Sequence, residues 1–271
     1  MPVTRTLIRF SHSLPMAPPT KLPTRAIFWD IDGTLLVTGR AGMIAWERAY
    51  AHATGGRAFP TVRPDGLTDH QIAAWLLGHT SASDVPGPPE QAAASKLVQG
   101  YEQELVDALP LRQGRVLDNV MATLEWLRSE RPHTISWLVT GNTIGGGTAK
   151  LQYYGLSDFF RAADATVAGS WGDSGAPLLG SFSSRVEPRA NIVRRALQMA
   201  QTRLPGLRAS EALVIGDTPH DIEGAHAIGV PVLAVATNTH SIDELASHQP
   251  WKVMPLLPDR EAFAGLLEQP R

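Results

Sequence analysis

Short apolar runs recur along the chain, and each stops at a polar turn, a pattern that predicts buried β-strands. Between these runs, apolar residues recur at the spacing of an α-helix. Alternating strands and helices imply a parallel sheet with helices on both faces, so we predict an α/β, Rossmann-like core. The apolar runs occupy residues 26–35, 135–139, 165–168, 212–215 and 230–235.

Residues 39–112 carry helical patterns and no strand signal, unlike the rest of the chain. One of these helices follows Thr68, which is able to cap it. A helical block behind the first strand is typical of a lid that excludes water from a site. We therefore predict a core formed by residues 25–38 and 113–271, with a small inserted α-helical cap at 39–112. Helices are predicted at about 41–53, 69–77, 90–109, 117–127, 146–154, 190–203, 221–228 and 259–267.

The composition is that of an ordinary globular protein: 43% of the 271 residues are hydrophobic and 18% are charged, enough for one large domain with an insert. A formal net charge of −2 favours neither nucleic acid nor an anionic membrane as a partner, and no apolar run is long enough to cross a bilayer. The absence of cysteine excludes disulfides, thiolate metal sites and a cysteine nucleophile. It also suits a reducing compartment, and we expect a cytoplasmic protein.

Residues 1–24 differ from the rest of the chain, since they contain Arg5, Arg9 and Lys21 but no acidic residue. Arg-rich leaders without acidic residues include transit peptides, but the segment also has the composition of a disordered chain. We interpret it as a disordered extension and assign it no function.

Polar clusters directly follow three of the predicted strands. The first contains Asp30 and Asp32, the second is Thr140-Gly141-Asn142, and the third contains Asp217 and Asp221. Since ligands bind beyond the carboxyl ends of parallel strands, neighbouring strands would bring all three clusters to one edge of the sheet. Such a set of hard oxygen ligands suits Mg²⁺, which prefers a phosphate oxygen among its remaining ligands. The clusters together therefore predict a magnesium site for a phosphorylated substrate, although the first alone also fits an ordinary Asp-Gly turn.

The same three regions, in the same order, resemble the motifs of the haloacid dehalogenase superfamily on its phosphatase side. Asp-Ile-Asp-Gly-Thr-Leu from Asp30 matches the first motif, Val-Thr-Gly-Asn from Val139 the second, and Val-Ile-Gly-Asp-Thr-Pro-His-Asp from Val214 the fourth. The likeness covers about residues 25–245. The helical cap and the stretch Gly66-Leu67-Thr68-Asp69 look most like the phosphoglycolate phosphatase group.

The resemblance implies a Mg²⁺-dependent phosphatase that acts through an aspartyl-phosphate. Asp30 would be the nucleophile, and Asp32 would protonate the leaving oxygen and then activate the water that hydrolyses the intermediate. Asp30, Asp217 and the backbone carbonyl of Asp32 would bind the metal, with Asp221 supporting them from behind. The loop Thr140-Gly141-Asn142 would hold phosphoryl oxygens. The implied partner is a small phosphorylated metabolite, and the sequence leaves the oligomeric state open.

The third motif is where the chain departs from the family, which usually places a lysine there. Residues 184–193 contain no lysine, and Arg189 is the best candidate for that position, with Arg185 as the runner-up. An arginine can bridge a carboxylate and a phosphate, although it is not equivalent to lysine, and a solvated arginine at a helix start remains the alternative. Elsewhere we expect Lys150 to face solvent and His220 to take no part in binding the metal.

Two further hypotheses share the predicted fold. A phosphosugar mutase would need a cap that retains the intermediate for rephosphorylation, which the sequence does not test. A catalytically silent binding protein is the other, and the altered third motif is its only support, whereas Asp30, Asp32 and Asp217 argue against it. Asp32 also argues against a dehalogenase, since cleavage of a carbon–halogen bond needs no proton donor for the leaving group.

Overall fold

The structure of the protein is a computed structural model, and its described residues are 24–79, 87–162, 166–173 and 186–269, with only the backbone described at 186 and 187. The predicted N-terminal extension, apart from Thr24, and the candidate Arg185 lie outside these residues. Thr24 is buried, and its hydroxyl donates a hydrogen bond to the carbonyl of Leu267, which ties it to the C-terminal helix of the core.

A parallel β-sheet forms the centre of the molecule. The strands of the described chain are β1 (Ala26–Trp29), β2 (Leu36–Val37), β3 (Arg115–Val116), β4 (Ile135–Val139), β5 (Gly169–Ser170), β6 (Ala212–Gly216), β7 (Val232–Val235) and β8 (Lys252–Met254). Six of them form one sheet in the order β5-β4-β1-β6-β7-β8, and each neighbouring pair is parallel. In the central strand, Phe28 is paired with Trp137 on one side and with Val214 on the other. The predicted α/β fold with a parallel sheet is confirmed.

Helices cover both faces of this sheet. The helices of the described chain are α1 (Ala41–Thr54), α2 (Asp69–Leu76), α3 (Pro88–Ala108), α4 (Val120–Glu130), α5 (Ile144–Tyr153), α6 (Val186–Arg203), α7 (Pro219–His226), α8 (Ile242–Ser247) and α9 (Arg260–Leu267). Because side chains alternate along a strand, Ile27 and Trp29 pack with α4, α5 and α9, whereas Phe28 packs with α6 and α7. None of these helices is both long enough and apolar enough to traverse a membrane.

Helices α1, α2 and α3 form a unit with a hydrophobic core of its own, which we call the cap. The rings of Trp46 in α1 and Tyr101 in α3 stack with their centroids 4.1 Å apart. Thr68 begins α2 as predicted: its hydroxyl accepts a hydrogen bond from the amide of Gln71, whose side chain accepts one from the amide of Thr68. The chain enters and leaves the cap through β2 and β3, which pair antiparallel and so mark its junction with the core.

Several short elements differ from the predictions. The strand predicted at 165–168 begins outside the described residues, and its described part is misplaced, since the strand in this region is β5 and Val167 forms only an isolated bridge with Arg161. Helix α6 begins earlier than predicted, at Val186, so Arg189 lies within its first turn. The sequence pattern does not predict β2, β3, α8 or β8, because elements this short present too few positions for a period to show.

Candidate active site

The carboxyl ends of β1, β4 and β6 meet at one edge of the sheet because these strands are neighbours. Asp30 follows β1, Thr140 follows β4 and Asp217 follows β6, and all three side chains are buried. Gly33 turns the chain after the first cluster with a φ of +79°, and a Cβ there would lie 2.1 Å from Oδ2 of Asp217. The structure therefore brings together the three polar clusters that the sequence places after strands.

Three carboxyl groups share this buried edge: one oxygen from each of Asp30, Asp217 and Asp221 lies within 4.8 Å of the others. Burial, with smaller contributions from Asp221 and Asp32, raises the pKa of Asp30 to about 7 even though Arg189 lies beside it. The pKa of Asp217 is raised well above its ordinary value by burial and by the carboxylates of Asp30 and Asp221. Carboxylates this close are ionised together only when positive charge stands among them.

Arg189 supplies positive charge to this cluster. Its Nη2 lies 3.1 Å from Oδ1 of Asp30 and 2.7 Å from Oδ1 of Asp221, and its side chain is 4% exposed. The alternative of a solvated arginine at a helix start is therefore wrong, because the guanidinium is buried between two carboxylates. Arg185 lies outside the described residues, so the structure bears only on Arg189.

Asp217 and Asp221 differ in how their oxygens are used. Oδ1 of Asp221 pairs with Arg189, and its Oδ2 accepts hydrogen bonds from the amide (3.1 Å) and the hydroxyl (2.8 Å) of Thr218 at the start of α7. Asp217 accepts a hydrogen bond from Thr34 through Oδ1 (3.3 Å), while its buried Oδ2 has no hydrogen-bond partner among the described residues. An unpartnered carboxylate oxygen inside a group of acids fits a divalent cation.

The carboxylate of Asp32 is held by Lys150, the residue that we expected to face solvent. That expectation is wrong: the Lys150 side chain is 6% exposed, and its Nζ lies 2.6 Å from Oδ2 of Asp32 and 2.6 Å from Oδ1 of Asn142. Helical spacing could have revealed this, since Lys150 follows the buried Gly146 and Gly147 by four and three positions in α5. Burial alone would lower the pKa of Lys150, but Asp32 and other neighbours raise it above its ordinary value, so the amine stays charged.

The loop after β4 is braced by Asn142. Its Nδ2 donates hydrogen bonds to Oδ2 of Asp32 (2.8 Å) and to Oγ1 of Thr140 (2.7 Å). Because Thr140 is the acceptor in that bond, its own hydroxyl hydrogen is available to a ligand oxygen. Of the loop residues predicted to hold phosphoryl oxygens, Thr140 thus keeps a donor for that purpose, whereas the side chain of Asn142 is already used by its neighbours.

The cap covers this edge of the sheet and leaves a cavity of about 160 Å³. Asp30, Asp32 and Lys150 line the core side of the cavity, and Trp46 and Tyr101 line the cap side. The cap side also contributes Asp69 of α2 and the neighbouring Arg40 and Asp65, so the roof of the cavity combines aromatic with charged side chains above a charged floor. This volume and lining suit a small substrate with an anionic end.

Asp69, the first residue of α2, docks the cap on the loop after β4. Its amide donates to the carbonyl of Gly141 (3.0 Å), and its Oδ2 accepts a hydrogen bond from the amide of Thr143 (2.7 Å). Burial raises the pKa of Asp69 to about 7, although Lys150 and the Thr143 amide act in the opposite direction. The docking bond is thus made by a carboxyl group that titrates near neutral pH.

A second contact between cap and core joins Gly66 to His220. Gly66 has a φ of +74°, and a Cβ there would lie 1.9 Å from Cδ2 of the His220 ring. The ring occupies space that only glycine leaves open. His220 thus packs against the cap, and the group of possible metal ligands found in the described parts of the chain consists of three aspartates.

Comparison with known proteins identifies the family. A family model described as haloacid dehalogenase-like hydrolase matches residues 24–229, which is most of the chain. The chain belongs to the haloacid dehalogenase-like hydrolases. The motif resemblance drawn from the sequence is thereby confirmed, and a hydrolase site is expected at the edge where the motifs meet.

Similar proteins and solved structures found by comparison share less than a quarter of their residues with this chain. A phosphoglycolate phosphatase from Thiobacillus denitrificans is 23% identical over 214 residues, which cover 79% of this chain and 84% of that protein. The crystal structure of CbbY from Rhodobacter sphaeroides in complex with phosphate has a TM-score of 0.63 at 16% identity and covers 90% of this chain and 96% of that chain. A hydrolase of the same family from Entamoeba histolytica has a TM-score of 0.61 at 17% identity, covering 91% of this chain and all of that chain, 100%. These structures share the fold of this chain.

Arg189, the candidate for the third-motif position in this family member, contacts the carboxylates that follow the first and fourth motifs. Asn238 was missed in the sequence, although its side chain lines the cavity together with that of Asp217 and acts on the Asp217 carboxylate. The rule that polar residues after a strand meet at the sheet edge could have found it, since Asn238 follows β7.

Proposed function

We propose that this protein is a Mg²⁺-dependent phosphatase that hydrolyses a small phosphate monoester through an aspartyl-phosphate on Asp30. The observation that carries the proposal is the position of Asp30, a buried carboxylate in the cavity, 3.1 Å from Arg189 and grouped with Asp217 and Asp221. Positive charge from Arg189 stands where an anionic phosphate must approach that carboxylate. Membership of the hydrolase family and the likeness to a phosphoglycolate phosphatase support the same activity.

The residues that would hold Mg²⁺ are Asp30 and Asp217 through their carboxylates and Asp32 through its backbone carbonyl, with Asp221 behind them. When bound, the metal offsets the repulsion between the carboxylate of Asp30 and the phosphate. The unpartnered Oδ2 of Asp217 and the raised pKa of Asp30, about 7, fit this assignment, because the single guanidinium of Arg189 does not balance three buried carboxylates.

Each side chain then has a defined task. Asp30 attacks phosphorus while Asp32 transfers a proton to the leaving oxygen, which departs as the alcohol. Asp32, now ionised, takes a proton from the water that attacks the aspartyl-phosphate, and inorganic phosphate leaves with Asp30 regenerated. The hydroxyl of Thr140 donates to a phosphoryl oxygen, and the cap excludes bulk water during both steps.

The substrate class that we infer is a small phosphorylated metabolite of the kind used by phosphoglycolate phosphatases. The cavity volume of about 160 Å³ and the relative from Thiobacillus denitrificans support this choice. The cysteine-free chain suits the reducing cytoplasm, where we place the activity. Ranking a panel of phosphorylated metabolites by kcat/KM identifies the substrate.

Hydrolysis of p-nitrophenyl phosphate, with Mg²⁺ and with a chelator, tests the proposed reaction. We expect turnover only with the metal, and Asp30→Asn should lower kcat by at least about 1000-fold, since an amide is not a nucleophile toward phosphorus. Asp158→Asn, at an aspartate whose side chain is 71% exposed, is the matched control and should keep the wild-type rate. Metal-independent turnover, or full activity of Asp30→Asn, would contradict the mechanism.

The same panel separates the other two functions that the fold allows. A phosphosugar mutase would convert a sugar phosphate to its isomer and release little inorganic phosphate. A silent binding protein would turn over no member of the panel, with or without Mg²⁺. Release of inorganic phosphate that requires Asp30 and the metal argues against both.

A further inference from the structure

A buried lysine stands beside the carboxylate to which we assign the acid–base role. Lys150 is 6% exposed, whereas the side chain of Asp32, its partner at 2.6 Å, is 40% exposed. Such an ion pair adds little to stability, because desolvation of the ammonium offsets the attraction, and an apolar side chain at a buried position is often the more stable choice. The presence of a lysine on the buried face of α5 therefore points to a task in the site.

Three side chains form a closed set of hydrogen bonds at Asp32. Nζ of Lys150 donates to Oδ2 of Asp32 and to Oδ1 of Asn142, and Nδ2 of Asn142 donates to the same Oδ2 of Asp32 at 2.8 Å. With two donors on one oxygen, the carboxylate is held against rotation. Oδ1 of Asp32 accepts no hydrogen bond from the described residues, so it is the oxygen available to a substrate.

The cap contacts the same lysine. The hydroxyl of Tyr101 lies beside Lys150 and interacts with its ammonium, and the ring of Tyr101 is buried and stacked on Trp46, which keeps the hydroxyl in place. Lys150 thus links Asp32 in the core to the inner wall of the cap.

We propose that Lys150 is a positioning residue that holds Asp32 with Oδ1 available to the leaving oxygen of the substrate. Lys150 acts through Asp32 and does not touch the reacting atoms. The inference rests on the proposed function, since it requires Asp32 to protonate the leaving group. A misplacement of about 1 Å costs on the order of 100-fold in rate, which sets the size of the effect to be sought.

A double-mutant cycle tests the proposal with Lys150→Met, Asp32→Asn and the double variant, each assayed on an alkyl phosphate and on p-nitrophenyl phosphate. Methionine keeps the length of the buried chain but donates no hydrogen bond. The value of kcat/KM reports the step in which the leaving group departs, and an alkyl alkoxide depends on a proton donor far more than p-nitrophenolate does. We expect Lys150→Met to lower kcat/KM by about 10- to 100-fold for the alkyl phosphate and by less than about 5-fold for p-nitrophenyl phosphate. In the Asp32→Asn background the same substitution should change either value by no more than about twofold.

Further variants guard against a purely structural effect. Lys96→Met removes an exposed lysine of α3 and should leave both substrates unaffected. Lys150→Arg keeps the charge and the donors and should retain more activity on the alkyl phosphate than Lys150→Met. If Lys150→Met does not fold, Tyr101→Phe replaces it in the test, since it removes only the hydroxyl that contacts Lys150. It should lower kcat/KM for the alkyl phosphate more than for p-nitrophenyl phosphate, by a smaller factor than Lys150→Met.

The outcomes distinguish this inference from the proposed function. A loss that persists in the Asp32→Asn background, or that is equal for the two substrates, overturns the positioning role of Lys150. An active Asp30→Asn variant overturns the proposed function itself. The inference alone fails if Asp30→Asn is inactive and Asp32→Asn loses activity mainly on the alkyl phosphate, while Lys150→Met and Tyr101→Phe show no such selective loss.

Discussion

The variant Asp69→Asn should remove a pH dependence from the free energy of unfolding. Burial raises the pKa of Asp69 to about 7 in the folded protein, against an ordinary value of 3.8. An acid whose folded pKa is raised stabilises the fold in its protonated form, and that stabilisation is lost as the pH rises through the folded pKa. Between about pH 5.5 and about pH 7.5 the folded carboxyl loses its proton while the unfolded one is already ionised, so Asp69 alone should lower the free energy of unfolding by about 2 kcal/mol.

Urea unfolding at the two pH values, followed by tryptophan fluorescence in the presence of Mg²⁺, measures this change in the free energy of unfolding. Asparagine keeps the size of the side chain and still accepts the hydrogen bond from Thr143. Asp69→Asn should therefore lose only the part of the pH dependence of stability that comes from ionisation of Asp69. Asp107→Asn, at an exposed aspartate of α3, is the control and should retain the slope of the wild type. The reasoning is refuted if the stability of Asp69→Asn changes with pH as steeply as that of the wild type.

Two further substitutions probe the buried charges and the fit of the cap. Arg189→Met should abolish phosphatase activity and lower the free energy of unfolding by about 3 kcal/mol, because Asp30 and Asp221 both lose a buried partner. Arg189→Lys keeps a positive charge and should recover part of the activity. Equal kcat values for the two variants would contradict this expectation. Gly66→Ala should raise KM and cost about 1 to 2 kcal/mol in urea unfolding, from the strained φ and the clash with His220. Adding His220→Ala should relieve the clash and recover part of KM, and no recovery would show that the contact does not seat the cap.

The fold was predictable where burial leaves a strong local pattern. The strands β1, β4 and β6 lie at the centre of the sheet, so their residues form continuous apolar runs that stand out in the sequence. Thr68 was recognisable because its capping bonds are local, within three residues. The edge strands β5 and β8 have two and three residues, and pairing with a neighbour, rather than their own sequence, determines where they form.

The same distinction holds in the candidate site. Asp30, Thr140 and Asp217 were found because each directly follows a predicted strand, and the parallel topology then places them at one edge. Lys150 was missed because the partner that compensates its charge, Asp32, lies 118 residues away in the chain. Helical spacing places Lys150 on the buried face of α5, but it does not identify the residue that pairs with the ammonium, and a lysine in an amphipathic helix is usually exposed.

The ladder between β2 and β3 pairs Leu36 with Val116 and Val37 with Arg115. The chain therefore leaves the core for the cap and returns to it at adjacent points, only about 5 Å apart, through a two-stranded ladder separate from the central sheet. The residues between these two points can be replaced by another insertion, or shortened to a tight turn, without changing the order of the strands that carry the aspartates. The aspartates of the core and the cap above them thus occupy parts of the chain that the backbone joins only through this ladder.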